Sequence, residues 1–165
     1  SDADEKTMLT AWLDWLRISV HRRCEGLADD DAYAHPLPKS PLMTIAGIVT
    51  HLRWTEHYWF EHEIGDCTCL GPDDPGAVGE PADPDSDFRI DGVPIGRVLA
   101  DYEAACQGAR GVIARLDLSA RAHEAPPGDE PVSLRWIIVH MIEETARHLG
   151  HLDAIRELTD GVTGD

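Results

Sequence analysis

The chain has 165 residues, of which 42% are hydrophobic and 27% charged, and these values are typical of a globular domain. Its 31 acidic residues against 14 lysines and arginines give a net charge of −17, which disfavours binding to nucleic acid and to anionic membranes. No apolar run reaches the roughly 18 residues that a membrane-spanning helix needs, so no such helix is expected.

The N-terminal residues and the cysteines indicate a compartment. Three of the first five residues are acidic, and the N-terminus lacks the basic and apolar regions of a signal peptide. The four cysteines (Cys24, Cys67, Cys69 and Cys106) do not form a disulfide framework in a chain of this length. The lone Cys67-Thr-Cys69 motif lacks the second cysteine pair of a structural zinc site. We therefore expect a protein of the reducing cytoplasm, in which Cys67 and Cys69 are ordinary loop cysteines.

Apolar residues at helical spacing predict four helices of some 20 residues each in one domain, residues 1–165. The predicted helices cover about 4–27, 41–64, 94–116 and 133–158. Four amphipathic helices pack most simply as a four-helix bundle, so the predicted fold class is all-α.

The predicted helix boundaries rest on capping residues. Asp2 and Glu5 are spaced as a capping box for the first helix. Ser40 is placed to cap the second helix, with Pro41 at its first position. Ser133 is the expected cap of the fourth helix, and Gly161 lies just past that helix.

Residues 66–93 differ from the rest of the chain. They are rich in proline, glycine and acidic residues and show no sustained periodicity, apart from a short turn expected around Asp87 and Phe88. Such a segment is predicted to be a long loop, with or without a role as a lid. A connection of this length can cross the bundle and allows the second and third helices to run parallel.

Two polar residues interrupt the apolar face of the fourth helix. Glu144 and His148 are four residues apart and therefore lie on one face, within a stripe of leucines, isoleucines and methionine. His51 lies at the edge of the apolar stripe of the second helix. A buried carboxylate and imidazole are costly unless they are paired or bind a metal, and two histidines with one carboxylate can hold a divalent ion.

Simpler interpretations of these residues stay open. A Glu–His pair at this spacing is often only a local ion pair on a helix. His140 and His151 lie on the boundary of the same face, whereas the remaining histidines have polar surroundings and are expected to be solvated. Trp54 and Tyr58 are expected in the core or its rim, with a ligand cleft beside His51 as the alternative.

Two segments resemble a known family. The stretch from Thr44 through His51 to Phe60, and the stretch from Ser133 through Glu144 and His148 to His151, are similar to the DinB-like metalloenzyme superfamily. The nearest branch is that of the mini-circle proteins or mycothiol transferases. The resemblance extends over essentially the whole chain. It implies a four-helix bundle with a long crossover between helices two and three.

The resemblance also implies a ligand set. Members of this superfamily use one histidine on helix two and an H-x-x-x-H pair on helix four, which assigns His51, Glu144 and His148 as metal ligands here. Glutamate replaces the first histidine of the pair, as in mycothiol-dependent maleylpyruvate isomerase. The implied metal is zinc, with nickel or another divalent ion as alternatives.

The implied activity is transfer or isomerisation with a low-molecular-weight thiol such as mycothiol or bacillithiol. A divalent metal with open positions favours the thiolate, which is the nucleophilic form of a thiol. The expected partners are that thiol and a small electrophile, with a monomer or homodimer as the assembly. A metal-dependent hydrolase or isomerase, or a non-catalytic metal-binding bundle, would use the same three residues. Arg53 and Arg147 are candidates for substrate capture.

Overall fold

The computed structural model describes residues 3–65, 67, 85–123 and 129–164. Its helices are α1 (Glu5–Arg23), α2 (Asp29–Ala32), α3 (Ile45–Glu56), a π-helix (His57–Glu63), a 3-10 helix (Ser86–Phe88), α4 (Ile95–Arg115) and α5 (Leu134–Asp160). α1, α3 with its π-helical extension, α4 and α5 pack as a four-helix bundle, which confirms the predicted fold class. In this part of the chain, β pairing is limited to one isolated bridge, between Arg121 and Ser133.

Side-chain pairs show how the helices run relative to one another. Glu5 pairs with Arg135 and Arg23 pairs with Asp153, so α1 and α5 run parallel. α1 and α4 run antiparallel, because early α1 positions pair with late α4 positions and late α1 positions with early α4 positions. The pairs that show this are Asp14 with Arg110 and His21 with Glu103.

α3 and α4 run parallel to each other. Arg53, at the end of α3, lines a cavity with Arg97 and Asp101 of early α4, whereas Glu61 of the following π-helix lies against Gly108, further along α4. Two consecutive helices that run parallel require a crossover connection. Of the predicted loop, Asp66 and residues 68–84 lie outside the described residues. The predicted short turn is present as the 3-10 helix Ser86–Phe88.

Several helix boundaries differ from the prediction. α1 is capped by Asp4, whose carboxylate accepts from the Thr7 amide, and not by Asp2, which lies outside the described residues. α3 begins after Thr44, which accepts from the Gly47 amide, so the predicted start at Ser40 and Pro41 is four residues too early. The predictions at the fourth helix are confirmed, since Ser133 caps α5 and Gly161 ends it.

A buried ion pair joins α1 to α3 inside the bundle. Arg17 donates from Nε and Nη2 to the two carboxylate oxygens of Glu56, at 2.8 and 2.6 Å, and both side chains are fully buried. The guanidinium also lies over the Phe60 ring at 5.8 Å and donates to Asp14. A bidentate, fully satisfied pair of this kind offsets the cost of removing two charges from water.

None of the helices in the described residues is long and apolar enough to cross a membrane.

The Arg17–Glu56 pair generates a stability prediction. Glu56→Leu should lower the free energy of unfolding by about 3–5 kcal/mol, because the substitution removes the bidentate carboxylate partner of the buried Arg17 guanidinium and leaves it only the bond to Asp14. The double variant Arg17→Met, Glu56→Leu should recover most of that loss, since no unpaired charge remains. Urea unfolding followed by circular dichroism measures both. Arg135→Ala, which breaks the exposed pair with Glu5, is the control and should cost less than about 1 kcal/mol. A single Glu56→Leu as mild as this control would contradict the prediction.

Candidate metal centre

His51, Glu144 and His148 converge in the groove between α3 and α5. Each offers one ligand atom, and these atoms lie within 4.8 Å of one another. The Oε1 atom of Glu144 is 3.0 Å from the Nε2 atoms of both His51 and His148. All three residues are less than one tenth exposed. The three residues selected from the sequence are therefore adjacent in space, while metal binding by them stays a prediction.

Local helical geometry places each of the three side chains. Glu144 and His148 stand one turn apart on α5, which points both toward α3. His51 lies in the middle of α3, whose start is fixed by the Thr44 cap. Because α3 packs against α5, its imidazole faces the pair from the opposite side of the groove.

Burial and neighbouring charges act on the three groups in different directions. Burial lowers the pKa of His148 to about 4, assisted by the charge of His51. Burial also opposes ionisation of His51 and Glu144, but their hydrogen bonds and mutual charges outweigh it. The pKa of His51 is therefore raised, through Asp87 and Glu144, and the pKa of Glu144 is lowered, through His51, His148 and Arg147. Near neutral pH the group consists of an ionised carboxylate, a neutral imidazole at His148 and a strongly hydrogen-bonded imidazole at His51.

The donor set fits a divalent cation. Imidazole nitrogen and carboxylate oxygen are ordinary zinc ligands, and tetrahedral bonds of about 2.0–2.1 Å place two ligand atoms about 3.3 Å apart. The two His–Glu separations of 3.0 Å are close to that spacing. Three protein donors also leave at least one coordination position for another molecule, as catalytic zinc sites require.

Asp87 and Phe88 belong to this site, although the sequence pattern did not single them out as functional. The Asp87 carboxylate accepts from Nδ1 of His51 at 2.6 Å, and the Phe88 ring stacks on the His51 ring at 4.2 Å between centroids. Both residues lie on the 3-10 helix at the end of the crossover. The only sequence signal was the turn expected there, because nothing local relates residue 87 to residue 51.

Arg147 holds the second oxygen of the glutamate. Its guanidinium donates to Oε2 of Glu144 at 2.8 Å and to Glu143. This contact leaves Oε1 of Glu144 facing the two imidazoles. Arg147 is thus engaged with the site carboxylate, although the sequence suggested it only for substrate capture.

The two boundary histidines of α5 have different surroundings. His151 Nδ1 lies 3.5 Å from Nδ1 of His148, directly beside the site. His140 lies between Trp59 and Trp136, with both ring centroids 5.1 Å away. Of the two, His151 is therefore the histidine that contacts a candidate ligand.

The aromatic residues of the second predicted helix form a half-buried cluster. The Trp54 and Tyr58 rings are 5.7 Å apart, and Tyr58 also contacts Trp59. This agrees with the expectation that they lie at the rim of the core. The alternative, a ligand cleft that they line beside His51, stays a prediction.

Comparison with known protein families identified this chain's family. A model of the mycothiol-S-transferase family matches residues 8–161, which include all three candidate ligands. The chain belongs to the mycothiol-S-transferase family. This finding confirms the resemblance drawn from the motifs around His51 and Glu144. No curated protein and no solved structure matched the chain.

For this family member, we expect one divalent metal ion per chain at His51, Glu144 and His148. His148→Ala should lose the ion, because the two remaining donors hold it weakly, while far-ultraviolet circular dichroism of the variant stays helical. The large apolar core supports the fold without metal. Metal content by mass spectrometry after gel filtration provides the measurement, and exposed His35→Ala is the matched control. Full metal content in His148→Ala would refute this ligand assignment.

The cysteines of this family member should differ in reactivity. Burial raises the pKa of Cys24 to about 12 and also raises that of Cys106, so near pH 8 both are protonated thiols. Iodoacetamide should therefore spare both in the native protein and modify the half-buried Cys67 faster. Peptide mass mapping before and after unfolding in urea measures this difference. Native labelling of Cys24 or Cys106 at the rate of the unfolded chain would contradict the burial argument.

Proposed function

We propose that this chain is a metal-dependent thiol S-transferase that uses a low-molecular-weight thiol, with mycothiol as the first choice. The observation that supports this proposal is the buried His51–Glu144–His148 donor set in a chain of the mycothiol-S-transferase family. The proposed metal is zinc, because its usual ligands are imidazole and carboxylate groups like these. Nickel or another divalent ion would use the same donors.

In this proposal the three side chains hold the metal. A divalent ion bound there would lower the pKa of an incoming thiol and so supply the thiolate nucleophile for attack on an electrophilic carbon. The thiol must come from outside the donor set, because the three donors include no cysteine.

Neighbouring residues shape the site. Arg147 binds one oxygen of Glu144 and thereby directs the other oxygen into the donor set. Phe88 covers one face of His51, which limits the access of water from that side. These contacts keep the donors rigid and partly desolvated, which favours electrostatic interactions at the site.

The broader assignment follows from the same features. We propose a single domain over residues 1–165, acting in the cytoplasm as a monomer or homodimer on a small thiol and a small electrophile. The net charge of −17 supports the exclusion of nucleic acid and of anionic membranes as partners.

Cobalt substitution tests this function. Addition of mycothiol to the cobalt-loaded protein should produce an intense sulfur-to-cobalt charge-transfer band in the near ultraviolet. Monobromobimane should then be conjugated to mycothiol at least tenfold faster by wild type than by His51→Ala, because the variant loses one of the three donors. The same assay with bacillithiol and with glutathione shows which of the three thiols is conjugated fastest.

Two controls separate the alternatives. His35→Ala changes an exposed histidine away from the donor set and should retain both the band and the activity. A cobalt spectrum that none of the three thiols alters would refute the proposed thiol S-transferase function. Ester or amide hydrolysis that depends on His51 would then support the metal-dependent hydrolase. Metal binding without either reaction would support a non-catalytic bundle.

A further inference from the structure

Asp87 is an acidic residue outside the donor set, and it contacts the candidate ligand His51. We propose that Asp87 is a positioning residue, which holds the His51 ring so that Nε2, and not Nδ1, faces Glu144 and His148. The inference rests on the proposed metal site. It adds that Asp87, which lies at the end of the crossover and 36 residues after His51, completes that site.

The hydrogen bond decides which nitrogen can bind metal. A neutral imidazole carries one N–H and one lone pair, and the partner of one nitrogen determines the role of the other. Asp87 Oδ2 lies 2.6 Å from Nδ1 of His51, and a carboxylate oxygen that accepts a hydrogen bond from this nitrogen keeps a proton on Nδ1. Nε2, 3.0 Å from Oε1 of Glu144, is then the nitrogen directed into the donor set, and its lone pair would bind the metal ion in place of that hydrogen bond. A carboxylate on the far nitrogen also makes the imidazole a stronger ligand.

Phe88 restricts the ring further. Its side chain stacks on His51 with an angle of 8° between the ring planes. The hydrogen bond limits rotation within the ring plane, and the stacked phenyl group limits tilting out of it. Together the two adjacent residues hold the imidazole in one orientation before any ligand binds.

Gly47 allows the 3-10 helix to lie this close to α3. A Cβ atom at position 47 would stand 2.9 Å from the Phe88 carbonyl oxygen and 2.7 Å from the Leu42 carbonyl oxygen. Both neighbours are backbone atoms, which cannot rotate away as a side chain can. Gly47 lies one turn before His51, so its missing side chain permits the approach at the place where Asp87 and Phe88 reach the imidazole.

The cost of burying Asp87 supports a role beyond packing. The side chain is 14% exposed, and Oδ1 has no hydrogen-bond partner among the described residues. A carboxylate oxygen that is buried without a partner costs free energy. The hydrogen bond from His51 is the interaction that offsets this cost.

Zinc affinity tests the proposal. Competition with a chromophoric chelator should show that Asp87→Ala raises the Kd about 10–100-fold over wild type. Asp87→Asn should raise it less, because the amide oxygen still accepts from Nδ1. Asp91→Asn removes an exposed carboxylate from the same segment and should leave the Kd unchanged. Gly47→Ala retains every ligand and Asp87, and should weaken binding because the added methyl group displaces Phe88.

A tautomer measurement separates positioning from general stability. Two-bond ¹H–¹⁵N spectra of the zinc-loaded wild type should show His51 protonated at Nδ1 and bound through Nε2. The His51 pattern should change in Asp87→Ala, while the His148 pattern stays. The same spectra of chelator-treated wild type and Asp87→Ala should differ at His51 as well, independently of metal.

The outcomes distinguish the two proposals. If wild type binds zinc and Asp87→Ala binds it equally well with an unchanged His51 pattern, the positioning role is wrong and the metal site stands. If wild type binds no divalent metal, the proposed function is wrong. The chelator-treated spectra then decide whether Asp87 still orients His51. Should Asp87→Ala fail to fold, Asp87→Asn and Gly47→Ala provide the same comparison.

Discussion

The buried carboxylate of Glu144 is the constraint around which this site is arranged. One oxygen lies 3.0 Å from two imidazole nitrogens, and the other accepts from Arg147. A negative charge in an apolar groove is costly unless every lone pair has a partner. The stability of the groove therefore depends on α3 and α5 bringing His51 and His148 to that one oxygen. This arrangement brings together two imidazole nitrogens and one carboxylate oxygen, which are atoms of the kinds that bind divalent metal ions.

The Arg17–Glu56 pair fixes α3 against the rest of the bundle. Glu56 follows His51 by five residues, which places the two side chains about 140° apart around the helix. With Glu56 directed into the core toward α1, His51 is directed into the groove toward α5. The ion pair thus sets the rotation of the helix that carries one candidate ligand. The π-helix that follows keeps Phe60 beneath the guanidinium and fully buried.

The crossover connects two helices, and its last residues also form part of the candidate metal site. It lets α3 and α4 run parallel, and its last residues return to α3 at the level of His51. There Asp87 and Phe88 occupy the nitrogen and the face of the ring that the donor set does not use. The absence of a side chain at Gly47 makes this return possible. The loop and the helix therefore form one wall of the site together.

Local patterns in the sequence determined the four long helices, the cap at Ser133 and the shared face of Glu144 and His148. These features repeat over three or four residues, which is the range of helical geometry. Local patterns did not determine which of two neighbouring capping residues begins a helix. Thr44 caps α3 and Ser40 does not, although both residue types cap helices well.

Tertiary structure alone decided the remaining contacts. The Arg17–Glu56 pair joins positions 39 residues apart, and the His51–Asp87 contact joins positions 36 apart. Which side of the π-helix faces the core likewise depends on tertiary packing, and Phe60 is the residue that it buries. No periodicity relates such positions, because their partners are chosen by the packing of whole helices. The sequence therefore determined which residues share a helix face, and only the folded bundle determined which faces meet.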